Sequence, residues 1–138
     1  MKKLYYDQDA NWDLMLDRKV AVIGYGSQGH AHSLNLKESG VDVTVGLYKG
    51  SKSWAKAEAA GLKVATVAEA SAQADLVMPR TPVVHQAAPF RDHVAPNLKS
   101  DAALAFAHGF NIHFGRIQPA ADFDVFMLAP EGPARRVR

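Results

Sequence analysis

Short apolar runs alternate with amphipathic, alanine-rich stretches along this chain. The apolar runs predict six strands, at 19–24, 41–46, 62–64, 75–78, 102–106 and 125–128. The stretches between the first four runs predict helices at 28–39, 51–60 and 67–74, and a glycine follows each of the first two. Buried strands that alternate with helices are typical of a parallel sheet covered on both faces. The pattern therefore predicts an α/β fold with a doubly wound, mostly parallel sheet and helices on both faces.

The second half of the chain differs from the first in its proline content. All seven prolines lie between Pro79 and Pro133. Pro89 falls where the helix after the fourth strand is expected. Because proline lacks a backbone N–H and clashes with the preceding turn, this helix should begin near Pro89 or be kinked there. We therefore predict a loop-rich second half.

Length, composition and charge limit the classes of function. The chain has 138 residues, 48% of them hydrophobic and 22% charged, which suits one packed domain and leaves no room for a second. The net charge of +2 gives no indication of a nucleic acid or an anionic membrane as partner. Neither an export signal nor a long apolar segment is evident, and the absence of cysteine fits a cytoplasmic protein. We expect residues 1–138 to form a single cytoplasmic domain.

A glycine-rich turn between the first strand and the first helix carries the clearest chemical signal. It reads Gly24-Tyr25-Gly26-Ser27-Gln28-Gly29. In such a turn the first glycine permits a tight bend, the second lets the backbone approach a pyrophosphate, and the third lets helix and strand pack closely. The free N–H groups at the helix start would face phosphate oxygens. This context predicts a dinucleotide site in a Rossmann-like fold; the alternative is a structural turn that binds nothing.

The loop after the second strand bears on the choice of dinucleotide. An NAD site would place Asp or Glu near the end of that strand, to bind the ribose 2′-hydroxyl. This loop has no carboxylate and offers Lys49, Ser51, Lys52 and Ser53 instead. Such donors suit a 2′-phosphate and predict NADP. A solvated turn with Ser51 as a helix N-cap explains the same residues equally well.

His108 directly follows the fifth strand. Open α/β sheets bind their ligands at the carboxyl ends of strands, so His108 is a candidate to face a cofactor. The residues alone favour a simpler interpretation, in which His108 and His113 form hydrogen bonds around a tight turn. No histidine and carboxylate pair has metal-ligand spacing on one helix face, so no metal site is predicted.

Two longer segments carry a family pattern, VIGYGSQGHAH at 22–32 and LAFAHGFNIH at 104–113. Together with residues 51–64 they resemble the N-terminal domain of ketol-acid reductoisomerase (acetohydroxyacid isomeroreductase), and the likeness covers nearly the whole chain. That family converts acetohydroxy acids into dihydroxy acids with NADPH and Mg²⁺, by an alkyl migration followed by hydride transfer. The resemblance implies that residues 25–28 contact the cofactor, that Ser51 and Ser53 meet its 2′-phosphate, and that His108 matches the active-site histidine.

The resemblance also implies what is missing. In that family the Mg²⁺ carboxylates come from a helical C-terminal domain, which this chain lacks. Without them nothing polarises the substrate, so we expect no catalysis by the isolated chain.

Several loops depart from the family pattern. Tyr48 stands where the family usually has Arg. The segment 79–84, PRTPVV, stands where the family has an apolar strand end followed by Pro-Asp-Glu, so that aliphatic residues replace polar ones on the cofactor side. A later loop that usually reads Lys-x-Pro-Gly-His has Glu131 at its start and Arg135 at its end. All these positions are predicted to lie at the carboxyl ends of strands, so the departures suggest a cofactor face that has been rebuilt.

Two hypotheses follow. In the first, the chain is a non-catalytic binding module whose face was rebuilt by engineering to hold a protein partner, with NADP binding weakened. An interface of this kind would consist of apolar anchors and a charged rim. Its candidate residues are Tyr48, Arg80, Val83, Val84, Phe90, Glu131 and Arg135. In the second, the chain is the NADPH-binding fragment of a reductoisomerase. An uncovered apolar face would also allow a homodimer.

Overall fold

Six parallel strands form one sheet in the computed structural model, which describes residues 3–130, 132 and 136. The strands are β1 (Lys19–Ile23), β2 (Asp42–Leu47), β3 (Lys63–Thr66), β4 (Leu76–Pro79), β5 (Ala103–Phe106) and β6 (Asp124–Met127). Their order across the sheet is β3-β2-β1-β4-β5-β6, and each neighbouring pair is parallel. The chain thus builds outward from β1 in one direction and then in the other. This arrangement confirms the predicted doubly wound α/β fold and places its switch point between β1 and β4.

Helices connect the strands. They are α1 (Asp13–Leu16), α2 (Ser27–Glu38), α3 (Ser53–Ala59), α4 (Val67–Gln73), α5 (Ala87–Pro89) and α6 (Phe110–His113). The second predicted helix begins two residues later than expected, because the Ser53 N–H donates to Ser51 Oγ in a turn before α3. In the part of the chain that the structure describes, no helix combines the length and the apolar character that crossing a membrane requires.

The segment after β4 is irregular, as the prolines predict. The short α5 ends at Pro89 and continues as a π-helical turn over Phe90–Val94 and a 3₁₀ turn over Ala95–Asn97. Pro89 cannot donate a backbone hydrogen bond, and the hydrogen bonding changes to the wider π pattern directly after it.

Alternate residues of the strands build a core on each face of the sheet. Val20 and Val22 face α2, whereas Ala21 and Ile23 face α4 and the irregular segment. Phe90 is only 6% exposed and its ring centroid lies 6.5 Å from that of Phe106, in the core on the second face. The prediction that Phe90 is an exposed anchor for a protein partner is therefore wrong, because the π-helical turn directs its side chain onto the sheet.

The amino ends of the central strands are fixed by Asp75. Its carboxylate accepts a hydrogen bond of 2.8 Å from the Lys19 N–H at the start of β1 and lies 3.2 Å from Lys99 Nζ. The backbone hydrogen bond, followed by the interaction with Lys99, lowers the pKa of Asp75. This anchor holds β1 beside β4 at the end of the sheet opposite the switch-point cleft.

Candidate functional site

A cleft opens at the carboxyl ends of β1 and β4. A cavity of about 380 Å³ lies on the β2 side and another of about 360 Å³ lies on the β5 side; we call them the β2-side and β5-side cavities. Gly26 and residues 80–82 line both of them. The two cavities therefore meet at the glycine turn and the loop that follows β4. This is the position at which open α/β sheets bind their ligands.

The three glycines of the turn have different surroundings. Gly24 has φ +101°, and a methyl group added there would lie 2.9 Å from Thr81 Cγ2. A methyl group on Gly29 would overlap the Gly24 carbonyl oxygen and lie 2.9 Å from the carbonyl carbon. Gly26 has nothing within 4 Å of the same position. The fold therefore requires Gly24 and Gly29, whereas the space above Gly26 is open to the cleft.

Helix α2 begins at this open space. Its first residue is Ser27, and its Gln28 and Ser27 both line the β5-side cavity. The His30 N–H donates to the Gly26 carbonyl over 2.8 Å, so the helical hydrogen bonds begin at Gly26. The N–H groups of the first turn have no acceptor within the helix and carry the positive end of its dipole. Backbone donors and an open approach together fit an anionic diphosphate.

The β2-side cavity is lined by the residues that were predicted to meet a ribose 2′-phosphate. Ser51 and Ser53 both lie on its wall, together with Tyr25. The Ser51 hydroxyl also accepts the Ser53 N–H over 3.2 Å in the turn before α3, but the N-cap residue of that helix is Lys52 and not Ser51 as predicted. The side chains of Lys49 and Lys52 are exposed and lie outside the lining of this cavity.

His108 lies on the wall of the β5-side cavity. Its Nδ1 accepts the Phe110 N–H over 3.1 Å, which leaves the proton of the neutral ring on Nε2. The hydrogen bond that the simpler interpretation proposed for His108 is therefore present, and the same histidine also faces the cleft. His113 is on α6 and lines a neighbouring cavity, which shares Ala107 and His108 with the β5-side cavity.

Arg80 lies beneath the cleft and is 6% exposed. Its Nη1 donates to the carbonyl oxygens of Pro79 and Ala105, over 3.0 Å and 2.8 Å. Its Nε and Nη2 are buried and have no hydrogen-bond partner. Burial lowers the pKa of Arg80 to about 10, so the guanidinium remains charged at neutral pH. The prediction that Arg80 lies on an exposed rim is wrong, because its side chain turns inward between the strand ends.

Two buried amides, which were not among the predicted site residues, hold the loop after β4. Asn111 Nδ2 donates to the Val83 carbonyl over 2.9 Å and to Gln86 Oε1 over 3.1 Å. Gln86 Nε2 donates in turn to the Thr81 carbonyl over 2.6 Å. Asn111 belongs to the segment that carries the family pattern, and this was the available signal. The two amides fix the wall on which Arg80 lies.

The remaining candidates for a partner interface divide into three groups. Tyr48 and Val84 are 71% and 65% exposed, as an interface would require. Val83 is half-buried and lines the β5-side cavity. Glu131 and Arg135 lie outside the residues that the structure describes.

No group of three or more His, Asp or Glu side chains is placed to hold a metal ion within residues 3–130.

Comparison with known proteins agrees with this geometry. Residues 14–138 match the family described as acetohydroxy acid isomeroreductase, NADPH-binding domain. An NADH-preferring ketol-acid reductoisomerase from an uncultured archean superposes with a TM-score of 0.91 at 38% identity. That match covers 98% of this chain and 42% of the archaeal protein, so this chain spans less than half the length of its relative.

More distant structures share the fold alone. A semialdehyde dehydrogenase NAD-binding protein from Cupriavidus necator has a TM-score of 0.73 at 19% identity, over 85% of this chain and 42% of its own length. A 3-hydroxyisobutyrate dehydrogenase from Mycobacterium tuberculosis has a TM-score of 0.69 at 18% identity, over 86% of this chain and 42% of its own. The family match and the archaeal structure are more specific, and they show that this chain belongs to the ketol-acid reductoisomerase family, within its NADPH-binding domain.

Proposed function

We propose that this chain binds NADP(H) in the cleft above the glycine turn, as the nucleotide-binding domain of a ketol-acid reductoisomerase. The observation that carries the proposal is the contrast within the turn. Packing accounts for Gly24 and Gly29, but no protein atom accounts for the missing side chain at Gly26. A ligand that approaches the backbone closely accounts for it, and the start of α2 supplies donors for a diphosphate.

The β2-side cavity supports NADP(H) in preference to NAD(H). The loop after β2 brings two hydroxyl groups, those of Ser51 and Ser53, to the cavity wall. Residues 48–53 contain no carboxylate that would repel a 2′-phosphate. The archaeal relative is described as NADH-preferring. The preference for NADP(H) that we propose for this chain therefore differs from that of the archaeal relative and is based on the loop after β2.

The β5-side cavity is the place that we propose for the reacting end of the cofactor. When bound, NADPH supplies a hydride. His108 and Gln28 line this cavity and would orient the nicotinamide and the substrate. Conversion of an acetohydroxy acid to a dihydroxy acid is an activity that we propose for the longer protein, of which this domain would form the cofactor-binding part.

The protein-binding hypothesis receives less support. Two of its candidates, Arg80 and Phe90, are buried and unavailable to a partner. Tyr48 and Val84 are exposed, but isolated exposed apolar residues are ordinary on protein surfaces. No specific observation favours a rebuilt interface over the nucleotide site.

Calorimetric titration with NADPH and with NADH tests the proposal. We expect a dissociation constant for NADPH in the micromolar range, about −8 kcal/mol, and weaker binding of NADH. Ser51→Asp should reverse this order, because the added charge repels a 2′-phosphate. Ser51→Asn is the matched control, because Asn and Asp side chains can each accept the Ser53 N–H as the Ser51 hydroxyl does. Absence of NADPH binding at millimolar concentration would overturn the proposal.

A further inference from the structure

The guanidinium of Arg80 is a buried charge without a compensating anion. Two of its nitrogen atoms, Nε and Nη2, have no partner, and no salt bridge to Arg80 occurs among the described residues. The carbonyl oxygens of Pro79 and Ala105 satisfy only Nη1. An unpaired buried charge strongly favours the arrival of an opposite charge.

The position of Arg80 limits which anion this is. Arg80 lines both the β2-side and the β5-side cavities, where the two meet below Gly26. In a dinucleotide bound across a switch point, the two nucleoside ends lie on opposite sides and the diphosphate crosses between them. Only the diphosphate would lie over the boundary that Arg80 occupies.

The opposite wall of the cleft already supplies the other half of an anion site. The first turn of α2 carries backbone N–H donors and a partial positive charge, but no basic side chain is present in residues 24–29. A full positive charge beneath the boundary would complete the site. Arg80 lies beside the first turn of α2, since a methyl group added to Gly29 would lie 3.6 Å from Arg80 Cβ.

We propose that Arg80 is the cationic ligand of the dinucleotide diphosphate, with Nε and Nη2, which are buried without a partner, as the donors that a rotation of the side chain brings to the bound diphosphate. The inference rests on the proposed function and deepens it. It assigns the recognition of the diphosphate to two groups on opposite walls, the start of α2 and a buried arginine on the loop after β4.

Titration of the wild-type chain, Arg80→Lys and Arg80→Met tests this assignment. NADPH and inorganic pyrophosphate are the probes, and pyruvate represents a substrate-like carboxylate. We expect Arg80→Met to weaken NADPH and pyrophosphate by similar factors of roughly 10 to 100, the range for hydrogen bonds to charged groups. The affinity of Arg80→Lys should lie between those of the wild type and Arg80→Met, because lysine keeps the positive charge but lacks the planar guanidinium that can donate two parallel hydrogen bonds. Arg91→Met removes an exposed arginine outside the cleft and should change affinity less than about twofold.

A second measurement keeps the test valid if Arg80→Met fails to fold. In the wild-type chain labelled with ¹⁵N, the Arg80 Nε–H resonance should shift on addition of NADPH and exchange more slowly with solvent. NADPH affinity unchanged within about twofold in Arg80→Met, or an Nε–H resonance that NADPH leaves in place, would overturn the inference while the proposed function stands. Loss of pyruvate binding with NADPH binding intact would overturn it in favour of a carboxylate site. A wild-type chain that binds neither NADPH nor pyrophosphate would overturn both.

Discussion

The two walls of the cleft are built in different ways. On the wall formed by β1 and α2, backbone atoms define the site, and the essential feature is the absence of side chains at Gly24, Gly26 and Gly29. On the wall formed by β4, the loop after it and α6, three buried polar side chains define the site. They are Arg80, Gln86 and Asn111. The comparison teaches that the shape of a nucleotide cradle depends on local packing, whereas its charge and rigidity depend on contacts between residues distant in the chain.

The largest expected effect is on the first wall. Gly29→Ala places a methyl group against the Gly24 carbonyl, and neither backbone can move without separating α2 from β1. We expect a loss of roughly 3 kcal/mol in the free energy of unfolding, the upper part of the range for overpacking. Urea denaturation measures it. Gly109→Ala is the control, because a methyl group added there would lie 3.9 Å from Met127 Sδ, which is an ordinary van der Waals contact. Equal stability of the two variants would contradict the packing argument.

On the second wall, Asn111→Ala should have an intermediate effect. It removes the donor to Val83 and Gln86 and leaves buried acceptors without partners. A loss of roughly 1–3 kcal/mol is expected for such a change. Asn97→Ala removes a hydrogen bond of 2.8 Å to the His93 carbonyl in a more open position and should cost less. A larger loss in the free energy of unfolding for Asn97→Ala than for Asn111→Ala would show that the Asn111 and Gln86 amides do not stabilise this wall.

The smallest expected effect is the pH dependence at His32, which links the two walls. Burial, and next the positive charge of Arg80, lower the pKa of His32 below 6.5. The unfolded chain therefore takes up a proton near pH 6.5 and the folded chain only at lower pH. Stability should be fully present above pH 6.5 and decline as the pH falls below it.

Urea denaturation at several pH values between about 5 and 7.5 checks this slope. His32→Gln should flatten the dependence of stability on pH. Arg80→Lys should leave this dependence unchanged, because the positive charge near His32 remains. A slope in His32→Gln as steep as in the wild type would show that His32 does not cause it.

The sequence predicted one wall far better than the other, for physical reasons. The glycine turn is a contiguous motif between two strongly patterned elements, so its structure and the positions of Ser51 and Ser53 followed from local rules. The burial of Arg80 and Phe90 did not, because loop residues after a strand take their orientation from what packs against them. Gln86 and Asn111 are 25 residues apart, and their pairing exists only in the folded chain.

The strand pattern shows the same division. β1, β2, β4 and β5 have mostly buried residues, as their apolar runs predict, whereas all four residues of β6 are exposed at the edge of the sheet. The apolar run therefore predicted where β6 lies in the sequence, but it did not predict that the side chains of this edge strand are exposed.

We infer that the open space above Gly26 accommodates the diphosphate of a bound dinucleotide. Titration of Gly26→Ala with NADPH, beside its urea denaturation, tests this most directly. A methyl group there meets no protein atom within 4 Å and φ is −74°, so the free energy of unfolding should stay within about 1 kcal/mol of the wild type. NADPH affinity should fall by at least roughly tenfold, because the methyl group occupies the place of the diphosphate. Unchanged NADPH affinity in a stable Gly26→Ala variant would contradict the account.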